Sequence, residues 1–198
     1  MSSKAFIHPT ADVSPDAKIG DGTRIWNGVH VREGAIIGSD CIIAKDVYVD
    51  KDVVIGDRVK VQNGASLYRG LTVEDGVFIG PHAVFTNDRY PRAITPDGRP
   101  LTDDDWQPEP TLVRHGASIG AASVIISGVT VGRWAMVGAG SVVTQDVPEQ
   151  ALVMGNPARV AGYVCECGTP LKINAAGTNR WHCPSCGASY DLPASRIE

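Results

Sequence analysis

A strict six-residue repeat runs through most of this 198-residue chain. From Ile7 to Phe85 every sixth residue is apolar, and a second, mostly small residue follows four positions after each of them. The pattern breaks at Arg89 and resumes from Val113 to Val143. An α-helix has a period of about 3.6 residues and an ordinary amphipathic strand a period of about 2, so neither explains this repeat.

The repeat predicts a parallel β-helix, a triangular prism in which each hexapeptide forms one side and about 18 residues complete a coil. The first apolar position points into the prism, and the second needs a small side chain near the corner. Cys41 falls at this second position, and we interpret it as core packing. Turns fall on residues that tolerate unusual backbone angles, namely Gly34, Gly64, Gly76, Gly128, Asp40, Asp46 and Asp52. We predict an all-β chain with between about six and seven coils.

Composition narrows the classes of function. The chain has 18 Lys and Arg residues against 22 Asp and Glu residues, a net charge of -4, and no block of like charge that would suit nucleic acid. No apolar run approaches the roughly 18 residues of a membrane span, and the N-terminal MSSKAFIHPT lacks the apolar stretch of a signal peptide. We therefore expect a cytoplasmic protein without nucleic-acid or membrane partners.

An insertion interrupts the repeat. Phe85 and Val113 are 28 residues apart, which is not a multiple of six, so a segment at about residues 88–111 must leave the prism. The segment is rich in proline and polar residues, and long insertions in compact folds are usually functional. Its arginines, Trp106 and the acidic run at 103–105 favour a lid or a neighbour-binding arm over a passive surface loop.

The repeat and four segments together carry a resemblance: VVIGDRVKVQNGASLY, FTNDRYPRA, TLVRHGASIGAASVI and ALVMGNPARVAG. Residues 1–162 form the predicted β-helix domain, and the stretch from about Ile7 to Gly162 resembles the left-handed parallel β-helix acyltransferases. More narrowly, they resemble bacterial N-acetyltransferases that act on the 3-amino group of nucleotide-linked sugars, such as UDP-2-acetamido-3-amino-2,3-dideoxyglucuronate, in O-antigen biosynthesis. The resemblance implies acetyl-CoA as the donor, a homotrimer, and active sites between neighbouring subunits.

The resemblance also implies roles for residues near the break. Asn87 would orient the acceptor amine, and since an amide is not basic, it can position the amine but cannot take its proton. The departing CoA thiolate would accept that proton, while His82 remains the alternative general base because imidazole titrates near neutrality. Arg92 suits a sugar carboxylate as a bidentate partner. The predicted acceptor site also includes Asn63 and Tyr68.

A groove for the coenzyme is predicted from small residues. Ala121 and Ala139 lie 18 residues apart, so they stack in one column of successive coils and, with Gly138, leave backbone groups open to a thin pantetheine arm. The alternative is that small residues simply fit tight turns. The resemblance adds the turn that contains Asn156 and Pro157, and Arg159 can meet a phosphate. We expect acetyl-CoA in this groove.

Other functions of the same fold stay open. Another hexapeptide acyltransferase would acetylate a 4-amino sugar or a hydroxyl group. A γ-class carbonic anhydrase needs three histidines that include a close-spaced pair, whereas His82 and His115 stand singly. A catalytically silent scaffold would bind no donor. The nucleotide carrier (UDP or dTDP), a carboxylate on the sugar and the length of the acyl chain are not readable from the sequence.

Residues 163–198 form a cysteine-rich tail that resembles a zinc ribbon. Cys165 and Cys167 form one knuckle, and Cys183 and Cys186 form the other. Four thiolates suit a tetrahedral, structural Zn²⁺ with no open position for catalysis. The first knuckle is one residue short of the usual spacer, which leaves His182 as an alternative ligand. We also expect the tail to cap the open end of the β-helix, because unpaired strand edges invite aggregation.

Overall fold

The computed structural model describes residues 4–174 and 179–193, so parts of the predicted tail lie outside the described residues. Short strands dominate it: β1 (Phe6–Ile7), β2 (Asp12–Val13), β3 (Lys18–Ile19), β4 (Arg24–Ile25), β5 (His30–Val31), β6 (Ile36–Ile37), β7 (Ile42–Ile43), β8 (Tyr48–Val49), β9 (Val54–Ile55), β10 (Lys60–Val61), β11 (Ser66–Leu67), β12 (Leu71–Val73), β13 (Phe78–Ile79), β14 (Val84–Phe85), β15 (Thr111–Val113), β16 (Ser118–Ile119), β17 (Val124–Ile125), β18 (Thr130–Val131), β19 (Met136–Val137), β20 (Val142–Val143), β21 (Ala151–Gly155), β22 (Ala158–Tyr163), β23 (Lys172–Ile173), β24 (Arg180–His182) and β25 (Ser189–Asp191).

The strands wind into a three-sided prism. Face 1 is a nine-stranded sheet in the order β1-β4-β7-β10-β13-β16-β19-β21-β22, face 2 runs β2-β5-β8-β11-β14-β17-β20, and face 3 runs β18-β15-β12-β9-β6-β3. Partners in neighbouring coils are 18 residues apart, as Ile7 with Ile25 and Ile25 with Ile43. The predicted parallel β-helix is confirmed.

Three corners join these faces, and we number them for use below. The first corner joins faces 1 and 2 and includes residues 80–83, 120–123 and 138–141. The second corner joins faces 2 and 3 and includes residues 68–70, 86–87 and 126–128. The third corner joins faces 3 and 1 and includes residues 56–58 and 114–116.

The hydrophobic core fills the prism as the repeat predicts. First-position side chains from Ile25 onward, such as Phe85 and Ile125, are fully buried, and so are the second positions in those coils, Cys41 included. In the first coil Ile7 is exposed and Ala11 and Ala17 are only partly buried, because no coil of the described residues covers that end. Each buried aliphatic side chain contributes about 1.5–3 kcal/mol relative to an exposed one, so the repeat is also the main source of stability.

Left-handed backbone recurs every six residues at the turns. Asp40, Asp46 and Asp52 have φ values of 57°, 58° and 60°, which confirms their predicted turn positions. His82 and Trp134 adopt the same conformation with φ values of 56° and 54°, although their side chains disfavour it. Hydrogen bonds between coils hold these turns; the His82 N–H, for example, donates to the Asn63 carbonyl at 2.9 Å.

The winding extends beyond the hexapeptide pattern, which ends at Val143. Val147 forms a parallel bridge with Val131, and β21 adds a further parallel strand to face 1. The strand β22 then turns back antiparallel to β21. Face 1 thus holds eight parallel strands, so the estimate of between six and seven coils was too low, because the stretch that contains Pro148 lacks the six-residue spacing.

The cysteine-rich tail follows directly from β22 and forms the small sheet β23-β24-β25. Trp181 packs edge-on against Tyr163, with ring centroids 5.2 Å apart, and both side chains belong to the same buried cluster as the prism core. The tail therefore continues the hydrophobic core of the last coil.

The insertion leaves between β14 and β15. The coil resumes in register across it, since Phe85 pairs with Ile125 and Val73 pairs with Val113. A single 3-10 turn at Asp103–Asp105 is the only helix within residues 4–174 and 179–193. No helix in that part of the chain is long and apolar enough to cross a membrane.

Candidate functional site

Asn87 lies at the second corner, two residues after β14. The register of β11, β14 and β17 aligns it with Arg69 in the preceding coil and with Ser127 in the next. The neighbouring Thr86 fixes this corner, because its Oγ1 accepts the Ser127 N–H at 3.0 Å. Asn87 is half-buried, at the point where the insertion leaves the prism.

His82 lies at the first corner, two residues before β14. Its imidazole covers Gly64 of the preceding coil so closely that a β-carbon on Gly64 would lie 2.6 Å from Nδ1. His82 is exposed to solvent. His82 and Asn87 therefore lie at opposite ends of β14, and one chain does not bring these two predicted residues together.

The predicted acceptor residues divide between the corners in the same way. Asn63 is exposed beside His82, whereas Tyr68 lies at the second corner, where its ring centroid is 5.6 Å from that of Tyr48. Arg92 is exposed on the insertion, and its Nη1 donates to the carbonyl of Pro91 at 2.9 Å. The structure thus places Tyr68 with Asn87 and Asn63 with His82.

An apolar depression of about 340 Å³ lies along face 1 and the first corner. Its lining consists of Phe78, Ser118, Ile119, Gly120, Met136, Val137, Gly138 and Ala139. A β-carbon on Gly120 would lie 2.5 Å from the Ala139 nitrogen, so glycine is required for the coils to approach this closely. The predicted Gly138 and Ala139 line the depression, and Ala121 precedes Ala139 in the same column.

The remaining predicted coenzyme residues follow this corner toward the C-terminus. Asn156 and Pro157 are joined by a cis peptide bond in the turn between β21 and β22. The Gly155 N–H donates to Ser141 Oγ at 3.2 Å, which ties this turn to the first corner. Arg159 is exposed, and its Nη1 donates to the carbonyl of Ala158.

The insertion is held by ion pairs. Arg89 Nη1 lies 3.6 Å from Glu109 Oε2, which joins the two ends of the insertion. Arg99 binds both carboxylate oxygens of Asp105 at 3.0 and 2.7 Å. These two bonds have the largest effect on the pKa of Asp105, and the bonds donated by the Thr102 N–H and hydroxyl add to it. Together they hold that pKa well below its usual range.

A second, more polar depression of about 400 Å³ lies between the insertion and the second corner. Its lining is Arg69, Asp104, Trp106, Gln107 and Pro108. The sequence did not predict Arg69 as a site residue, and it indicated Trp106 only through the general character of the insertion. The sequence signals for these two residues were a tryptophan in a proline-rich insertion and an arginine at a turn position.

The four tail cysteines form one cluster. All four Sγ atoms lie within 4.8 Å of one another, with 3.5 Å between Cys165 and Cys186 and 3.5 Å between Cys167 and Cys183. A tetrahedral ion with zinc–sulfur bonds of about 2.3 Å places its sulfurs about 3.8 Å apart, so the geometry fits. His182 lies outside the cluster. The single-residue spacer of the first knuckle therefore does not prevent a four-cysteine set.

The pKa values of two cluster thiols move in opposite directions. Against the lowering effect of the Ala188 backbone, contacts with the Cys165 and Cys183 sulfurs raise the pKa of Cys186 to about 12, whereas the pKa of Cys183 falls. The backbone N–H of Cys186 donates to Cys183 Sγ at 3.5 Å, and this bond, outweighing the opposing effect of burial, lowers the pKa of Cys183 to about 6. Thiolates are the form in which cysteine ligates metal.

Family models agree with this geometry. The bacterial transferase hexapeptide (six repeats) model matches residues 16–51, 34–69 and 52–87, and the model for the hexapeptide repeat of succinyl-transferase matches residues 116–145. Together these ranges cover just over half of the chain. The chain belongs to the hexapeptide-repeat β-helix acyltransferase family.

Two sequence relatives of this hexapeptide-repeat chain are informative. A dTDP-3-amino-3,6-dideoxy-alpha-D-galactopyranose 3-N-acetyltransferase from Aneurinibacillus thermoaerophilus is 62% identical over 63 residues, which cover 32% of this chain and 33% of that protein. A 2,3,4,5-tetrahydropyridine-2,6-dicarboxylate N-acetyltransferase from Staphylococcus aureus is 47% identical over 57 residues, covering 29% of this chain and 24% of that protein. The matched segments thus span a third or less of each relative.

A solved structure extends the likeness over most of the chain. A point mutant of GDP-perosamine N-acetyl transferase from Caulobacter crescentus, in complex with CoA and GDP-perosamine, aligns with a TM-score of 0.54 and 25% identity. The alignment covers 82% of this chain and 58% of that one.

Proposed function

We propose that this chain transfers the acetyl group of acetyl-CoA to the 3-amino group of a nucleotide-linked sugar, in the cytoplasm, for O-antigen synthesis. The observation that carries the proposal is the apolar depression at the first corner, whose floor of stacked glycine and alanine backbone suits a pantetheine arm. The Aneurinibacillus relative, by its name, acts on a dTDP-3-amino sugar, and it supports this class of acceptor. The perosamine enzyme binds CoA and a nucleotide sugar on the same fold.

The proposed site needs a second copy of the chain. The coenzyme depression lies at the first corner, whereas Asn87 lies at the second, across the whole width of face 2. A neighbour whose second corner faces this first corner would bring its own Asn87 to the bound thioester. A homotrimer of parallel prisms repeats that pairing three times by closed symmetry.

Asn87 positions the amine in the proposed reaction. Its side-chain oxygen accepts a hydrogen bond from the neutral 3-amino group and aims the nitrogen lone pair at the thioester carbonyl. A new nitrogen–carbon bond forms, then the carbon–sulfur bond breaks. The thiolate of CoA leaves and takes the proton that the nitrogen sheds. His82 is the alternative proton acceptor and would act from the first corner.

We also propose that the four tail cysteines hold one structural Zn²⁺. All four positions of a tetrahedral ion are then filled by protein thiolates, so the metal stabilises the tail and has no open position for chemistry. A reducing compartment keeps the four thiols available for this role.

An assay of released thiol tests the proposed function. Wild-type protein is supplied with acetyl-CoA and a panel that holds dTDP- and UDP-linked 3-amino sugars, 4-amino sugars and tetrahydropyridine-2,6-dicarboxylate. We expect turnover of a 3-amino sugar nucleotide and a loss of about 100-fold in kcat for Asn87→Ala, with the KM for acetyl-CoA unchanged. Turnover of only a 4-amino sugar or the dicarboxylate would reject the 3-amino assignment.

Two variants complete this test. Asn27→Ala removes the same side chain from a turn near the N-terminal end, and it should leave kcat unchanged. His82→Ala separates the two proton acceptors: loss of the acidic limb of the pH–rate profile assigns the base to His82, while an unchanged profile assigns it to the thiolate. Unaltered turnover in Asn87→Ala would remove that residue from the mechanism.

A further inference from the structure

The polar depression at the second corner has one wall from the prism and one from the insertion. Arg69 belongs to the prism, and its side chain is 34% exposed, with Nε 3.8 Å from Asp52 Oδ2. Trp106, Gln107 and Pro108 belong to the insertion. Because the walls come from separate parts of the chain, the depression exists only while the insertion is docked.

Both walls are held in place by specific contacts. The Arg69 N–H donates to Asp50 Oδ2 at 3.2 Å, and the buried Asp50 also accepts the Tyr48 hydroxyl at 3.0 Å. On the other wall, Pro108 packs against the turn at Gly70, where an added β-carbon would lie 3.0 Å from Pro108 Cβ. The guanidinium and the indole are thus presented on ordered backbone.

The depression lies next to the proposed reaction centre. Arg69 and Asn87 occupy the same position in successive coils, because Leu67 pairs with Phe85 two residues before them. Neighbouring strands of a sheet are about 4.8 Å apart. A sugar whose amine meets Asn87 therefore has its linked phosphates within reach of the Arg69 side chain.

We propose that this depression binds the nucleoside diphosphate part of the acceptor, with Arg69 on the diphosphate and Trp106 against the base. The inference rests on the proposed function and names the acceptor subsite. A guanidinium matches phosphate oxygens with paired donors, and an indole offers a flat face on which a base stacks. Asp104 and Gln107 supply hydrogen-bonding groups for the ribose hydroxyls and the base edge. A depression of about 400 Å³ is within the usual size range of small-molecule sites.

The subsite adds a second arginine to recognition of the acceptor. Arg92 is exposed on the insertion and donates to the adjacent Pro91 carbonyl. Arg69 instead lies in a depression and beside Asn87. Arg69 therefore takes the diphosphate, while Arg92 stays the predicted partner of a sugar carboxylate.

Calorimetry with dTDP tests the subsite independently of turnover. Arg69→Ala should weaken dTDP binding by about 10-fold to 100-fold, because it removes a charge-assisted bond. Trp106→Ala should weaken dTDP and thymidine by a similar factor, whereas Arg69→Ala should leave thymidine binding unchanged. Arg58→Ala is the matched control, since Arg58 pairs with Asp75 at 3.0 Å at the third corner. It should bind dTDP like wild type.

Kinetics then connect the subsite to the reaction. We expect Arg69→Ala to raise the KM for the dTDP-linked amino sugar about 10-fold or more, with the KM for acetyl-CoA unchanged. Equal dTDP affinity in wild type and Arg69→Ala would overturn the subsite. Competition between CoA and dTDP that occurs in wild type and is absent in Arg69→Ala would also overturn it, because Arg69 would then act at the coenzyme site. Arg69-dependent dTDP binding without turnover of any 3-amino sugar would support the subsite and reject the proposed function.

Discussion

The imidazole of His82 rests on the backbone of Gly64, one coil away in the first corner. A β-carbon on Gly64 would lie 2.6 Å from Nδ1 and 2.7 Å from Cε1 of that ring, and Gly64 has a φ of 66°. The glycine therefore serves two needs, a left-handed turn and space for the histidine above it.

This contact predicts the stability of Gly64→Ala. The left-handed turn alone costs an alanine about 1–2 kcal/mol, and the clash with His82 adds to that cost. Gly140→Ala is the matched control, because Gly140 has a φ of 70° with no atom within 4 Å of an added β-carbon. Urea unfolding should show Gly64→Ala to be less stable than Gly140→Ala. This difference in stability should disappear when both variants also carry His82→Ala. Equal values for both alanine variants would contradict the stacking.

The six-residue repeat predicted the buried positions and the glycine and aspartate turns, because a period fixes which way each side chain points. The repeat carried no information on turns occupied by side chains such as those of His82 and Trp134, since coil-to-coil hydrogen bonds there outweigh local backbone preference. The resemblance implied roles for both Asn87 and His82 near the break. Only the assembled faces of the prism show that these two residues lie at different corners.

The contacts of the insertion could be predicted even less from the sequence. Its sequence has no period, so nothing indicated that Arg89 would meet Glu109 or that Trp106 would face Arg69. These contacts join residues that are distant in sequence, and the prism sets their geometry. In the tail, by contrast, the paired cysteine knuckles and their resemblance to a zinc ribbon predicted the cluster, although the short first spacer left His182 open until the structure grouped the four cysteines.

Acid should loosen the insertion through Asp105. Arg99 keeps the folded-state pKa of this carboxyl below its usual value of about 3.9, so its stabilising effect is complete above that pH and is lost as the pH falls further. Asp105→Asn should produce the loosened state at neutral pH. Hydrogen exchange of backbone amides in residues 95–105 measures it. Asp88→Asn, which removes an insertion carboxylate not paired with Arg99, should leave that exchange unchanged; equal protection in Asp105→Asn and wild type would exclude this role.

Metal analysis should find one zinc per chain, bound by cysteine alone. Cys183→Ser should lose the metal and lower Tm by several degrees, because metal binding contributes directly to folding of the tail. His182→Ala and Cys41→Ala should both retain full zinc content, since neither residue belongs to the cluster. Zinc loss in His182→Ala would instead make histidine a ligand, and metal-free wild-type protein purified without chelators would reject the site.

Filling the apolar depression should block the donor while leaving the fold intact. Ala139 is exposed and lines the depression, so Ala139→Leu places three extra carbons where the pantetheine arm is proposed to lie, with no core residue disturbed. We expect the KM for acetyl-CoA to rise about 10-fold or more, with Tm and dTDP affinity unchanged. Asn27→Leu puts the same side chain at the equivalent turn near the N-terminal end and should leave KM at the wild-type value.

Acetyl-CoA should also raise the Tm of wild type and of Asn27→Leu but not of Ala139→Leu, since only a ligand that binds the folded state shifts the transition. A Tm rise of equal size in all three proteins would place the coenzyme elsewhere on the prism.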